Sequence, residues 1–90
     1  MPKFVIERDI ENIGNSSPEE LRSISKKARD SMTDSAAGVQ WLYSFVTDDK
    51  TYCVYIAPDE EALRQRSDRA GFPTTKICKV TSIIDAATAD

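Results

Sequence analysis

The sequence contains no histidine. That absence removes the usual general base near neutral pH, the Ser-His-Asp and Cys-His arrangements that activate a nucleophile, and the commonest zinc ligand. Cysteine is nearly as scarce. Cys53 and Cys78 each stand alone, so neither C-x-x-C redox chemistry nor a cysteine-rich metal knuckle is available. In a reducing compartment both read as structural thiols. No apolar run approaches the roughly 20 residues that span a bilayer, and the opening "MPKFVIERDI" lacks the apolar core of a signal peptide. The expectation is a cytoplasmic chain with no membrane partner. A basic stripe is missing too: 12 Lys and Arg are scattered among 15 Asp and Glu, for a net charge of −3. Nothing here neutralises a phosphate backbone, so nucleic acid is not an expected partner.

What is present is a chain of 90 residues with a clear rhythm. It is read as one domain over 1–90, near the size at which a single core is marginal, so oligomerisation is expected to add stability. "KFVIER", Lys3 to Arg8, is a β-branched run and a first strand. In "SSPEELRSISKKARDSM" Ser17 is an N-cap, Pro18 the first helical residue and Glu20 the partner of a capping box. The helix that follows has one thin apolar stripe, Leu21, Ile24, Ala28 and Met32. "VQWLYSFV", Val39 to Val46, is a second strand. Asp59 caps a second helix that Gly71 stops, and "TKICKVTSII", Thr75 to Ile84, is a fourth strand.

Between these lies "YSFVTDDKTYCVYIAPDEEAL", a strand, turn, third strand and helix start. With Asp48 and Asp49 as the turn, Phe45 pairs with Tyr52, Ser44 with Cys53, Tyr43 with Val54, Leu42 with Tyr55 and Trp41 with Ile56. Trp41, Tyr43, Phe45, Tyr52, Val54 and Ile56 then share one face, and Gln40, Leu42, Ser44, Val46, Thr51, Cys53 and Tyr55 the other. The order β-α-β-β-α-β predicts an α+β, ferredoxin-like βαββαβ sandwich. Its antiparallel four-stranded sheet, in strand order 4-1-3-2, carries both helices on one face. Thin helical stripes need bulky partners, so the aromatic face is expected beneath the helices, with Phe4, Ile6, Val80 and Ile84 completing the core. The other sheet face is left open as a mixed surface suited to homodimerisation.

The blocks "FVIERDI", "QWLYSFVTDDKTYCVYIAPDEEALR", "RAGFP" and "IID" resemble a family of small bacterial proteins of unknown function. The resemblance implies a ferredoxin-like fold of the dimeric α/β-barrel type, and one member of the family is described as nickel-binding. Members carry histidines at the places held here by Tyr43 and Arg66, so a nickel site built on those imidazoles is lost from this chain.

On the expected open face Glu7, Gln40, Ser44, Cys53, Tyr55, Lys79 and Thr81 form the candidate ligand-binding set. Glu7 would be its charged anchor, and the bland reading is a Glu7–Lys79 ion pair beside a packed Tyr55. Cys53, with no activating neighbour, reads as a small apolar filler. Arg64, Arg66 and Arg69 read as a solvated helix face among acids, and Asp48 and Asp49 as turn residues. The functional expectation is a non-catalytic homodimeric binding protein for a small molecule or a divalent metal, nickel being the metal that the resemblance implies. Two alternatives are an enzyme resembling the cofactor-free oxygenases and isomerases of this fold type, with Glu7 or Tyr55 handling protons, and a purely structural interaction module.

Overall fold

A computed structural model describes residues 1–90. Strand β1 (Lys3–Asp9) leads through a short 3-10 turn (Ile13–Asn15) to helix α1 (Pro18–Ser31), then to β2 (Gln40–Val46), β3 (Lys50–Ile56), α2 (Glu60–Ala70) and β4 (Lys76–Lys79). The sheet order is β2-β3-β1-β4 with every pair antiparallel, which is the ferredoxin-like arrangement. Both helices cover the same sheet face. Met32 at the end of α1 and Leu63 of α2 are fully buried in one cluster with Phe4, Ile6, Tyr55 and Ile77.

Local chemistry sets the helix ends. Ser17 Oγ accepts from the Glu20 backbone N–H at 3.1 Å, and Glu20 Oε1 accepts from the Ser17 N–H at 2.9 Å. Donation to the Glu20 carboxylate by the Ser17 backbone N–H, and secondarily by its hydroxyl, holds that carboxyl below its ordinary pKa. Asp59 Oδ1 accepts from the Ala62 N–H at 2.9 Å to start α2, and Gly71, at φ 78°, takes the left-handed conformation that ends it. The Asp48–Asp49 turn is held from outside. Ile10 N–H donates to the Asp49 carbonyl at 3.0 Å and Gly14 N–H to the Asp48 carbonyl at 2.9 Å. Asn12 N–H donates to Asp49 Oδ1 at 2.9 Å. Gly14 lies so close that a Cβ there would come within 2.7 Å of Asp48 Cα.

The hairpin pairs Phe45 with Tyr52, Ser44 with Cys53 and Tyr43 with Val54, as expected. Two features depart from expectation. A bulge between Trp41 and Tyr43 shifts the ladder, so Trp41 rather than Leu42 opposes Tyr55, with Leu42 the extra residue. The faces are also exchanged. Phe4 pairs with Tyr55, Ile6 with Cys53 and Arg8 with Thr51, and paired residues share a face, so burying Phe4 and Ile6 carries Thr51, Cys53 and Tyr55 beneath the helices. Tyr43, Phe45, Tyr52, Val54 and Ile56 take the uncovered side. Phe45 is 61% and Tyr43 50% exposed there, their rings edge to face at 5.5 Å.

The fourth strand is shorter than the expected Thr75–Ile84. Val80 N–H donates to the carbonyl of Lys3, the first residue of β1, at 2.8 Å. Beyond that point β1 offers no further ladder, and Ile84, expected in the core, is 78% exposed. Ile77 fills the core position instead.

Candidate functional site

The stripe of α1 is too thin to fill the space above the sheet. Ala28 is the only buried residue within that helix, while Leu21 is half-buried and Ile24 is exposed. Beneath it lies a cleft of about 230 Å³. Its walls are apolar: Ile10, Ile13, Leu21, Ile24, Ala28 and Phe72. Its floor is the helix-facing side of the hairpin, where Trp41, Ser44, Thr51, Cys53 and Tyr55 stand, with Arg8 beside them from β1.

Arg8 follows Phe4 and Ile6 in the period-two alternation of β1, which places a guanidinium where a third core residue would sit. It is 2% exposed. Nη2 donates to Tyr55 Oη at 2.9 Å and to Ser67 Oγ at 3.1 Å. Nη1 donates to the Pro73 carbonyl at 2.9 Å and to Thr74 Oγ1 at 3.4 Å. The guanidinium carbon lies 5.2 Å from the Phe72 ring centroid and 5.9 Å from that of Tyr55. Every partner is neutral, and no carboxylate forms an ion pair with Arg8. A buried cation without a counter-ion is costly, and only this set of hydrogen bonds and aromatic faces compensates it.

Tyr55 responds to both neighbours. Burial raises its phenol and the charge of Arg8 offsets part of that rise, leaving the pKa at about 12. It is therefore a neutral O–H group at physiological pH. Cys53 is buried with Sγ 3.5 Å from Thr51 Oγ1, and Trp41 Nε1 donates to Ser44 Oγ at 2.9 Å.

The seven candidate residues do not form one site. Ser44, Cys53 and Tyr55 do meet, but on the cleft floor under the helices rather than on the open face. Glu7 is on the open side, where it accepts from Lys50 Nζ at 3.0 Å rather than pairing with Lys79. Lys50 also meets Asp9 at 2.8 Å; the bond to Asp9, then that to Glu7, raises the ammonium pKa, and Lys50 lowers that of Asp9. Gln40 is exposed at the start of β2, Lys79 is exposed opposite Phe4 at the sheet edge, and Thr81 is exposed beyond β4. The face exchange separates Glu7 and Gln40 from the cleft, while Lys79 shares the phase of Phe4 and Ile77 but sits at the sheet edge outside it, and Thr81 lies beyond the strand.

Arg8 was not among the sequence-derived candidates. The signal for it is its phase with Phe4 and Ile6, which marks a core-facing position carrying a charge. Among the arginines of α2, Arg64 and Arg69 are exposed, Arg64 3.6 Å from Glu60, as a solvated helix face requires, whereas Arg66 is half-buried and ion-paired with Asp34 from the segment before β2.

With this geometry in hand, three comparisons add context. The family model described as "Nickel responsive protein SCO4226-like" matches residues 4–80. The crystal structure of SCO4226 from Streptomyces coelicolor A3(2) superposes with a TM-score of 0.74 at 15% identity, covering 91% of this chain and 99% of that one. At that identity the likeness speaks to the fold. No curated protein matches.

The donors present do not fit nickel. No three His, Cys, Asp or Glu side chains come together to hold a metal ion, and there is no imidazole. Tyr43 stands on the open side of the sheet, and Arg66 lies on α2, which packs on the other side, so the two do not converge within the chain.

Proposed function

The chain belongs to the SCO4226-like family of nickel responsive proteins, and from that premise we propose that it is a non-catalytic binding protein whose ligand is a small organic molecule held in the cleft between α1 and the sheet. The cleft itself carries the reading. Its walls are apolar and its floor presents a guanidinium, three hydroxyls and a thiol, the mixture that recognises an organic molecule rather than a metal. The absence of histidine and of any clustered metal donors turns the site away from the nickel of the family's name.

The working unit in this proposal is a homodimer formed through the open sheet face. Tyr43 and Phe45 are exposed on its edge strand β2, and Glu7, Asp9 and Lys50 lie together at one end of the central strands β1 and β3 with both signs of charge. An exposed aromatic edge beside a patch of both charge signs supports a self-complementary, isologous two-fold contact. No helix is long and apolar enough to cross a membrane, and two unpaired thiols suit a reducing cytoplasm.

Native mass spectrometry of freshly purified protein, with and without nickel chloride, tests the reading. The expected result is a dimer that takes up no nickel, with Phe45→Asp running as a monomer. Stoichiometric nickel uptake would overturn the ligand class, and a wild-type monomer would overturn the interface.

A further inference from the structure

Within the cleft-binding reading above, we infer that the ligand is a small monocarboxylic acid with an apolar body, its carboxylate held on the cleft floor beside Arg8. Of the 14 residues lining the cleft, Arg8 is the sole charged one. A single cation with no carboxylate of its own matches one negative charge, and no second basic group is present to balance a dianion.

The hydrogen-bond inventory favours the same occupant. Four contacts engage the two terminal nitrogens of Arg8, but Nε donates to no protein atom. No side-chain nitrogen or oxygen sealed from solvent lacks a partner, so the unbonded Nε reaches open space, and the open space that Arg8 borders is the cleft. The hydroxyls around it are committed as acceptors. Tyr55 Oη receives from Arg8, Ser44 Oγ from Trp41 Nε1 and Thr51 Oγ1 from Cys53 Sγ. Ser44 and Thr51 donate to no protein atom, so each keeps a proton to offer, whereas the Tyr55 hydroxyl is also engaged by Cys53. A floor of uncommitted donors around a cation calls for a ligand that brings only acceptors, and a carboxylate does. The apolar walls receive the rest of the molecule. At about 230 Å³ the space exceeds the roughly 150 Å³ cavity that takes benzene and falls below the roughly 300 Å³ at the lower end of drug-sized sites. Medium-chain fatty acids and small aromatic acids have that size.

Isothermal titration of the full chain with octanoate and with 1-octanol at neutral pH tests the inference. The expected result is octanoate binding at least about tenfold more tightly, the equivalent of one charge-assisted hydrogen bond. Arg8→Met should erase the preference. Should that variant fail to fold, Thr51→Val combined with Ser44→Ala should weaken octanoate about tenfold while leaving 1-octanol within about twofold. Equal binding of acid and alcohol to the wild type would overturn the carboxylate assignment and leave the cleft reading standing. Binding of neither, nor of benzoate, would overturn both.

Discussion

Replacing Tyr55 by Phe removes one oxygen and asks two questions of the buried arginine. At pH 8 Arg8 Nη2 loses the acceptor at 2.9 Å and retains only Ser67 Oγ. A hydrogen bond to a charged group contributes about 1.5–3 kcal/mol, so the variant should be less stable by that amount. The second question concerns alkali. The Tyr55 phenol is raised from 10.0 to about 12. A folded-state pKa above the unfolded one stabilises the fold fully below the unfolded value, and that stability is lost as pH rises through the folded value. Two pK units correspond to about 2.7 kcal/mol, disappearing between pH 10 and about 12 in the wild type and absent from Tyr55→Phe. Lys50, whose ammonium is stabilised first by Asp9 and then by Glu7, also loses its contribution above its ordinary 10.5. It does so in both proteins, so it cancels in the difference. Urea unfolding followed by far-ultraviolet circular dichroism, at intervals from pH 8 to 12, should show two stability curves that start about 1.5–3 kcal/mol apart and converge. Curves that stay parallel would refute the burial of the phenol, and a variant as stable as wild type at pH 8 would refute the dependence of Arg8 on its hydroxyl.

Gly14→Ala places a Cβ against backbone, 2.7 Å from Asp48 Cα and 2.8 Å from the Thr47 carbonyl oxygen. The turn must shift, and a loss of about 1–3 kcal/mol in denaturant titration is expected, whereas wild-type stability would contradict the packing of the 3-10 turn on the hairpin. Thiol titration with Ellman's reagent should find one fast group per chain, the exposed Cys78, and one whose rate follows unfolding, the buried Cys53. Two fast thiols would contradict the placement of Cys53 under the helices.

Features decided within a few residues were legible in the sequence. The Ser17–Glu20 box, the Asp59 cap, the Gly71 stop and the three central pairs of the hairpin depend on neighbours, and each stands where the pattern puts it. Which side of the hairpin meets the helices was not legible, because β3 alternates Thr51, Cys53 and Tyr55 against Tyr52, Val54 and Ile56, two sets of similar apolar content. The choice is made by β1, whose Phe4 and Ile6 are paired with Tyr55 and Cys53 across the ladder. The length of β4 likewise depends on where β1 begins. At the site, Ser44, Cys53 and Tyr55 were singled out from their chemistry alone, and the fold gathers them on the cleft floor. Glu7 was attached to them through the exchanged face, whereas Lys79 shares their phase but lies at the sheet edge outside the cleft, and Thr81 falls beyond the short β4. Arg8 escaped notice because a charge in phase with two core residues ordinarily signals the end of burial.

The bulge in β2 has an optical consequence. It sets Trp41, the sole tryptophan of the chain, opposite Tyr55 on the cleft floor with its indole nitrogen bonded to Ser44. Without the extra Leu42, strict alternation would place that ring on the other face of the sheet. The protein therefore carries its own fluorophore on the cleft proposed as the binding site, where an apolar guest replacing water would shift its emission to the blue.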